Sequence, residues 1–182
     1  MIVEDIKQQA GKKNRSGAWY INALTQSLSQ IQNPDISTSD TSGISEGDLF
    51  FFSYSPSFPE RYEFWDTQPL AVALKFYRDG FLGCNLHYVN PSYRDSVAIS
   101  LLNSGGGAAV PRNTLHKYLY SGVGSLLKVP RNEDWGEISK LPTEQFIDRN
   151  GMKYPKYRAC LLYTSDAADD SLRVDLGGRR II

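Results

Sequence analysis

Soft and titratable side chains are scarce in this chain. Cysteine occurs only as Cys84 and Cys160, and histidine only as His87 and His116. Cys160 falls in a terminal stretch set aside below. Cys84 alone makes neither a disulfide framework nor a metal cluster. Two isolated histidines and one thiol do not assemble a zinc site, so neither cofactor nor metal is expected. A lone thiol fits a reducing compartment, or a chain assembled in one. No apolar run approaches the roughly 20 residues of a membrane span, so no membrane partner is expected. The opening MIVEDIKQQAGKKNRSG starts acidic and has no long apolar core, unlike a signal peptide. Charge of one sign is also missing: 20 Lys and Arg balance 20 Asp and Glu. No bulk field marks the chain as a ligand of polyanions. Neither G-x-G-x-x-G nor the P-loop pattern occurs.

The C-terminal stretch is foreign in character. CLLYTSDAADD, Cys160 to Asp170, resembles the translated transposon end of a sequencing-library adapter. VDLGGRRII, Val174 to Ile182, reads as the translated outer end of the same adapter. Residues 160–182 are therefore expected to be a non-native, disordered tail, with the natural C-terminus missing. Such read-through points to a metagenomic assembly, and scars of this kind are excluded from fold reasoning. The preceding residues hold 17 Lys and Arg against 16 Asp and Glu and suit one domain. The expected division is a flexible basic arm over 1–17, one α+β domain over 18–159, and the tail.

Within the domain the strongest local signal is LAVALKFYRDGFLGCNLHY, Leu70 to Tyr88. Apolar residues alternate on either side of Asp79-Gly80, which predicts a β-hairpin whose turn needs positive φ. Gly83 predicts a bulge or a close backbone approach. GDLFFFSY, 47–54, is too apolar for a strand with one wet face, so both faces are expected to be covered, or one to meet a partner. Ser16 can cap a helix over 18–32, with Tyr20, Leu24, Leu28 and Ile31 on one face, ended by Asn33-Pro34. Asn90-Pro91 opens a second helix to Asn103, with Tyr93, Val97 and Leu101 on one face. Ser104 to Gly107 reads as a flexible connector. A third helix is expected to start at Asn113 or Thr114, run through Leu115, Tyr118 and Leu119 and end at Gly122, with strands at 125–129 and 135–141 and a short helical turn capped by Thr143. Short strands around a hairpin, then helices, predict an α+β fold: an SH3-like barrel, or a bent antiparallel sheet flanked by helices.

Candidate functional residues are few. His87 shares a strand face with Asn85 and could act as a base, yet sequence supplies no orienting carboxylate, and a histidine in an aromatic strand is more often structural. Glu137 and Lys140 have the wrong spacing for a nuclease carboxylate–lysine pair. Cys84 has no neighbouring histidine and reads as a small buried residue. No catalytic or metal-binding set is expected. For contact with DNA or a partner, the candidates are the basic cluster Lys12, Lys13 and Arg15, the group Arg112, His116, Lys117 and Tyr120, and the basic-aromatic segment with Lys153, Lys156 and Arg158. Such interleaving can combine phosphate contact with stacking. Phe58, Tyr62, Phe64 and Trp65 in the loop 55–69 read either as an ordered flap over the core or as a stacking surface.

GDLFFFSYSP, followed by WD, PLAVALKFYRDGFLG, N-LHY and Pro91-Ser92-Tyr93-Arg94, resembles a virion structural protein of large contractile-tailed bacteriophages. Asp79, Gly80, Gly83, Asn85, His87, Tyr88 and Arg94 carry the most specific part of the likeness. Gln68, Cys84 and the glycine-rich 104–108 depart from it. The resemblance implies a DNA end protector or a head-completion or neck component, assembled in the host cytoplasm and carried in the virion. Its implied partners are portal, neck or other virion proteins and double-stranded DNA ends. A tail or baseplate component without a DNA role, or a small nuclease-like hydrolase using His87, are the alternatives.

Overall fold

The computed structural model describes residues 1–32, 44–154, 171–174 and 180–181. The fold is α+β. Its centre is a five-stranded antiparallel sheet in the order β6-β4-β3-β1-β7. These strands are β1 (Leu49–Tyr54), β3 (Leu70–Tyr77), β4 (Gly80–Asn85), β6 (Leu115–Leu119) and β7 (Val123–Lys128). A small sheet pairs β2 (Phe64–Asp66) with β8 (Phe146–Asp148), and β8 with β9 (Lys153–Tyr154). Among the described residues four α-helices accompany them: α1 (Ile2–Ala10), α2 (Gly17–Ile31), α3 (Arg94–Ser104) and α4 (Trp135–Ser139). No helix among the described residues is long and apolar enough to cross a membrane.

Connectivity forces the large sheet to curl. β6 and β7 are its opposite edges, yet only the 3-10 turn Tyr120–Gly122 joins them. Four flat strand spacings would separate the edges by about 19 Å. The chain from Leu119 to Val123 reaches at most about 14 Å. Curvature is visible in the rings: Tyr54 of β1 and Tyr118 of β6, three steps apart in the sheet, have centroids 4.9 Å apart. The edges do not pair with each other, so the sheet is strongly bent without closing into the barrel offered as one expectation.

Both faces of this sheet are dry. Phe50, Phe52 and Tyr54 turn inward with Ala71, Ala73, Phe81 and Tyr118. Leu49, Phe51, Val72, Leu74 and Cys84 turn outward beneath the helices, meeting Ile6, Leu24, Leu28, Leu101 and Trp135. That is why the triple phenylalanine run has no wet side. Phe81 is the hub of the interior, with rings of Phe50, Phe52, Phe76, Tyr118 and Tyr120 around it.

The hairpin pairs as the sequence predicts, Val72 opposite Cys84 and Phe76 opposite Phe81. Its turn does not. The two turn residues are Arg78 and Asp79, Gly80 already pairs with Tyr77, and none of the three has positive φ. Glycine is required at 80 for space: a Cβ there would sit 2.0 Å from the carbonyl oxygen of Tyr118. At Gly83 the irregularity lies on the opposite strand, and the close neighbours are side chains rather than backbone. The register slips by one residue at Leu74, and a Cβ would press on the rings of Tyr118 and Phe81 at 3.2 and 3.3 Å.

Several local expectations are overturned. The N-terminal arm is helix α1, whose Ile2, Val3, Ile6 and Ala10 are buried. Those four positions follow helical spacing and find the α2 face. Residues 115–119 form strand β6, not a helix, because β4 offers an unpaired edge to them. Trp135–Ser139 is a short helix capped by Asp134, where a strand was expected. Phe146 lies in a strand instead of a helical turn. Gly105 caps α3 in the left-handed conformation, so the glycine-rich segment ends a helix rather than merely linking elements. Ser16 caps α2 as predicted, accepting from the Trp19 amide at 3.2 Å. In the tail, β10 (Ser171–Val174) pairs with the free edge of β5 (Val110–Pro111) and with β11 (Arg180–Ile181), where disorder was expected. An exposed edge accepts any extended segment that reaches it. The remainder of 160–182 lies outside the described residues.

Gly80→Val is expected to destabilise the protein by about 1–3 kcal/mol through overpacking against β6. Phe81→Ala should cost about 3–5 kcal/mol, and Phe76→Ala, at a half-buried site, clearly less. Urea unfolding of the three variants checks the order.

Candidate functional site

Where the hairpin meets the small sheet, a polar network is sealed inside the molecule. Asp66, the last residue of β2, accepts from the His87 Nδ1 at 2.6 Å and the Asn85 Nδ2 at 3.1 Å through one oxygen. Its other oxygen accepts from the backbone amides of Gln68 and Gln145 at 3.0 and 3.4 Å. A carboxylate only accepts, so the Nδ1 of His87 carries a proton. Nε2 lies 3.1 Å from the hydroxyl oxygen of Thr143. Asn85 also donates to the Tyr118 hydroxyl, and its own side-chain oxygen accepts from the His87 amide at 3.0 Å, fixing the 3-10 turn Leu86–Tyr88.

The order Thr143, His87, Asp66 is that of a hydroxyl–imidazole–carboxylate relay. Its setting is different. His87 and Thr143 are 0% exposed and Asp66 2%. A nucleophile needs room for a substrate atom beside it, whereas this hydroxyl is fully buried. The arrangement works as a latch that fixes the end of the hairpin, β2 and the 143–145 segment relative to one another. A second buried clamp lies alongside. Arg94, 1% exposed, pairs with Glu144 and donates to the carbonyls of Val89 and His87 at 3.0 and 3.1 Å.

The seven residues of the resemblance therefore split by role. Asn85 and His87 hold the latch, Arg94 holds the clamp beside it, and Gly80 and Gly83 permit close packing. Tyr88 stacks on Phe64 and lies 4.3 Å from the His116 ring. Asp79 pairs at the surface with Lys117 at 2.8 Å, which holds its carboxyl below the usual range. Sequence reasoning missed Asp66, Thr143 and Glu144. The only signal was the Trp65-Asp66 pair within the resembling block. Cys84 is buried and its Sγ donates to the Thr114 hydroxyl oxygen at 3.3 Å; burial pushes the thiol up to about 12, so it is inert.

The proposed contact residues do not form one patch. Lys12, Lys13 and Arg15 are exposed in the link between α1 and α2, with Arg15 over the Trp19 ring. Arg112, His116, Lys117 and Tyr120 lie on β6 and its flanking turns. Lys117 also approaches the face of Tyr77 at 5.1 Å. Lys153 is exposed on β9, and Lys156 and Arg158 lie outside the described residues. His116 is half-buried and lines a cleft of about 340 Å³ between β6 and the segment 61–66. Burial lowers its imidazole to about 4. Among the described residues no three His, Cys, Asp or Glu side chains gather where they could hold a metal.

No family model, no curated protein and no solved structure matches this chain.

Asp66→Ala strands two buried side-chain donors and two amides, and should cost about 3–5 kcal/mol. Thr143→Val removes one partner and should cost about 1–3 kcal/mol. Thermal unfolding would show drops of roughly 10 °C and 5 °C. His116 has a folded pKa of about 4, below its unfolded value of about 6.5. Between those values the unfolded chain binds the extra proton, so this histidine's contribution is full above pH 6.5 and is lost as pH falls toward 4. A His116→Gln variant should show a flatter fall in urea stability across that window.

Proposed function

We propose that this chain is a virion assembly protein of a contractile-tailed bacteriophage, a DNA end protector or head-completion piece that acts by docking at the portal or neck. The observation that carries this reading is the sealed latch: the one imidazole–carboxylate pair among the described residues is spent on holding the fold. Chemistry buried at 0% exposure serves shape, and shape serves assembly. The DGFLG and N-LHY likeness supports the same reading, since its residues fall on the latch and on the close-packed hairpin. Exposed cations at Lys12, Lys13, Arg15, Arg112 and Lys153 supply the polar contacts that such docking uses. Assembly would take place in the host cytoplasm.

Purified protein should be retained on linear duplex DNA at low salt and slow its digestion by an exonuclease. If four phosphates are neutralised, affinity should fall about 10²-fold between about 50 and about 200 mM salt. Mass spectrometry of separated heads and tails should place the chain with heads. Failure of both retention and protection, with recovery in tails, would move it to the baseplate reading. Substrate turnover abolished by His87→Ala would replace assembly with hydrolysis.

A further inference from the structure

The cleft between β6 and the segment 61–66 has unspent binding groups. Its volume of about 340 Å³ lies at the small end of ligand pockets, which run from about 300 to about 1,000 Å³. Most large rings here are locked to others, as Phe81, Tyr54 and Phe64 are. Tyr62 and Trp65 line the cleft and have no ring partner among the described residues; Tyr62 is 37% exposed. Two rings open to one small cleft favour a flat ligand. Arg61, also lining it, lies over the Phe58 ring at 4.8 Å and has no carboxylate partner among the described residues.

Two further polar groups of the cleft accept, while Lys117, which also lines it, is paired with Asp79. His116 Nε2 lies 2.9 Å from the Asn113 carbonyl oxygen, which can only accept, so Nε2 carries the proton. The low pKa keeps the ring neutral at pH 7, which leaves Nδ1 as an acceptor. Glu63 adds a carboxylate. Flat faces, a cation without a carboxylate partner and these two acceptors suit a planar ring that donates N–H and carries an anion.

We propose that this cleft binds one unpaired nucleotide, its base against Tyr62 and Trp65, its amino group donating to His116 or Glu63, and its phosphate facing Arg61. Adenine, cytosine and guanine carry an exocyclic amino group, and thymine does not, so thymine is disfavoured. Resting on the assembly reading above, the nucleotide is the unpaired end of a DNA duplex; a free mononucleotide offers the same chemistry.

The test uses the full chain with fluorescein-labelled duplexes that are blunt or end in one unpaired dA or dT, and with free dAMP. Anisotropy should show the dA end bound about tenfold tighter than the blunt or dT end. Tyr62→Ala, an exposed position whose thermal unfolding should match wild type, should erase that preference. Arg61→Gln should weaken the dA end and dAMP alike. Tryptophan quenching by dAMP should vanish in Trp65→Phe. Equal binding of all three duplexes, unchanged in Tyr62→Ala, would overturn the cleft assignment and leave the DNA-end reading standing. Binding of dAMP that depends on Tyr62, without retention of any duplex, would support the cleft and overturn the DNA-end reading. Silence toward every probe would overturn both.

Discussion

One carboxylate carries more of this fold than any other group. Asp66 accepts four hydrogen bonds, two from side chains and two from backbone amides. An isolated buried carboxylate is among the costliest groups a protein can hold, so it persists only where donors surround it. Here the donors come from Asn85, His87 and two backbone amides, one at each side of a long gap in sequence. Satisfying one oxygen pair therefore fixes how the small sheet sits on the end of the hairpin. Arg94 and Glu144 repeat the device beside it, and the guanidinium closes off the carbonyls that the turn at 86–88 leaves unpaired.

The curl of the large sheet is the second constraint. A three-residue link between opposite edges cannot span a flat sheet, so bending is compulsory. Rings fill the interior of the bend around Phe81. It also explains the small residues facing them: Ala71, Ala73 and Gly83 leave room for Tyr118 and Phe81. On the far side of β6 the same geometry leaves Tyr62 and Trp65 facing a cleft in place of a ring network. Latch and curl together place the imidazole–carboxylate pair and Arg94 inside and leave Lys12, Lys13, Arg15, Arg112 and Lys153 exposed.

Legibility followed sequence distance. The hairpin pairing, the Ser16 cap, the α2 face with Leu24 and Leu28, and the two dry faces of 49–54 could all be read, because period and capping are decided by near neighbours along the chain. Helix and strand were exchanged at 115–119, 135–139 and 146–148. These segments are short, with weak local preference, and the free edges of β4 and β2 recruited two of them. The basic arm was misread for a similar reason: Ile2, Val3 and Ile6 look like a frayed turn until the α2 face is there to cover them.

By itself the sequence determined that 70–88 folds back as a hairpin and that Ser16 caps α2, since these follow from alternation and capping over a few residues. Only the tertiary structure decided why Gly80 must be glycine, that His87 has a carboxylate 21 residues upstream and a hydroxyl 56 downstream, and that both are shut away from solvent. Contacts at such separations depend on the path of every strand between them. Burial of an imidazole depends on which layers close over it, and no local pattern carries that.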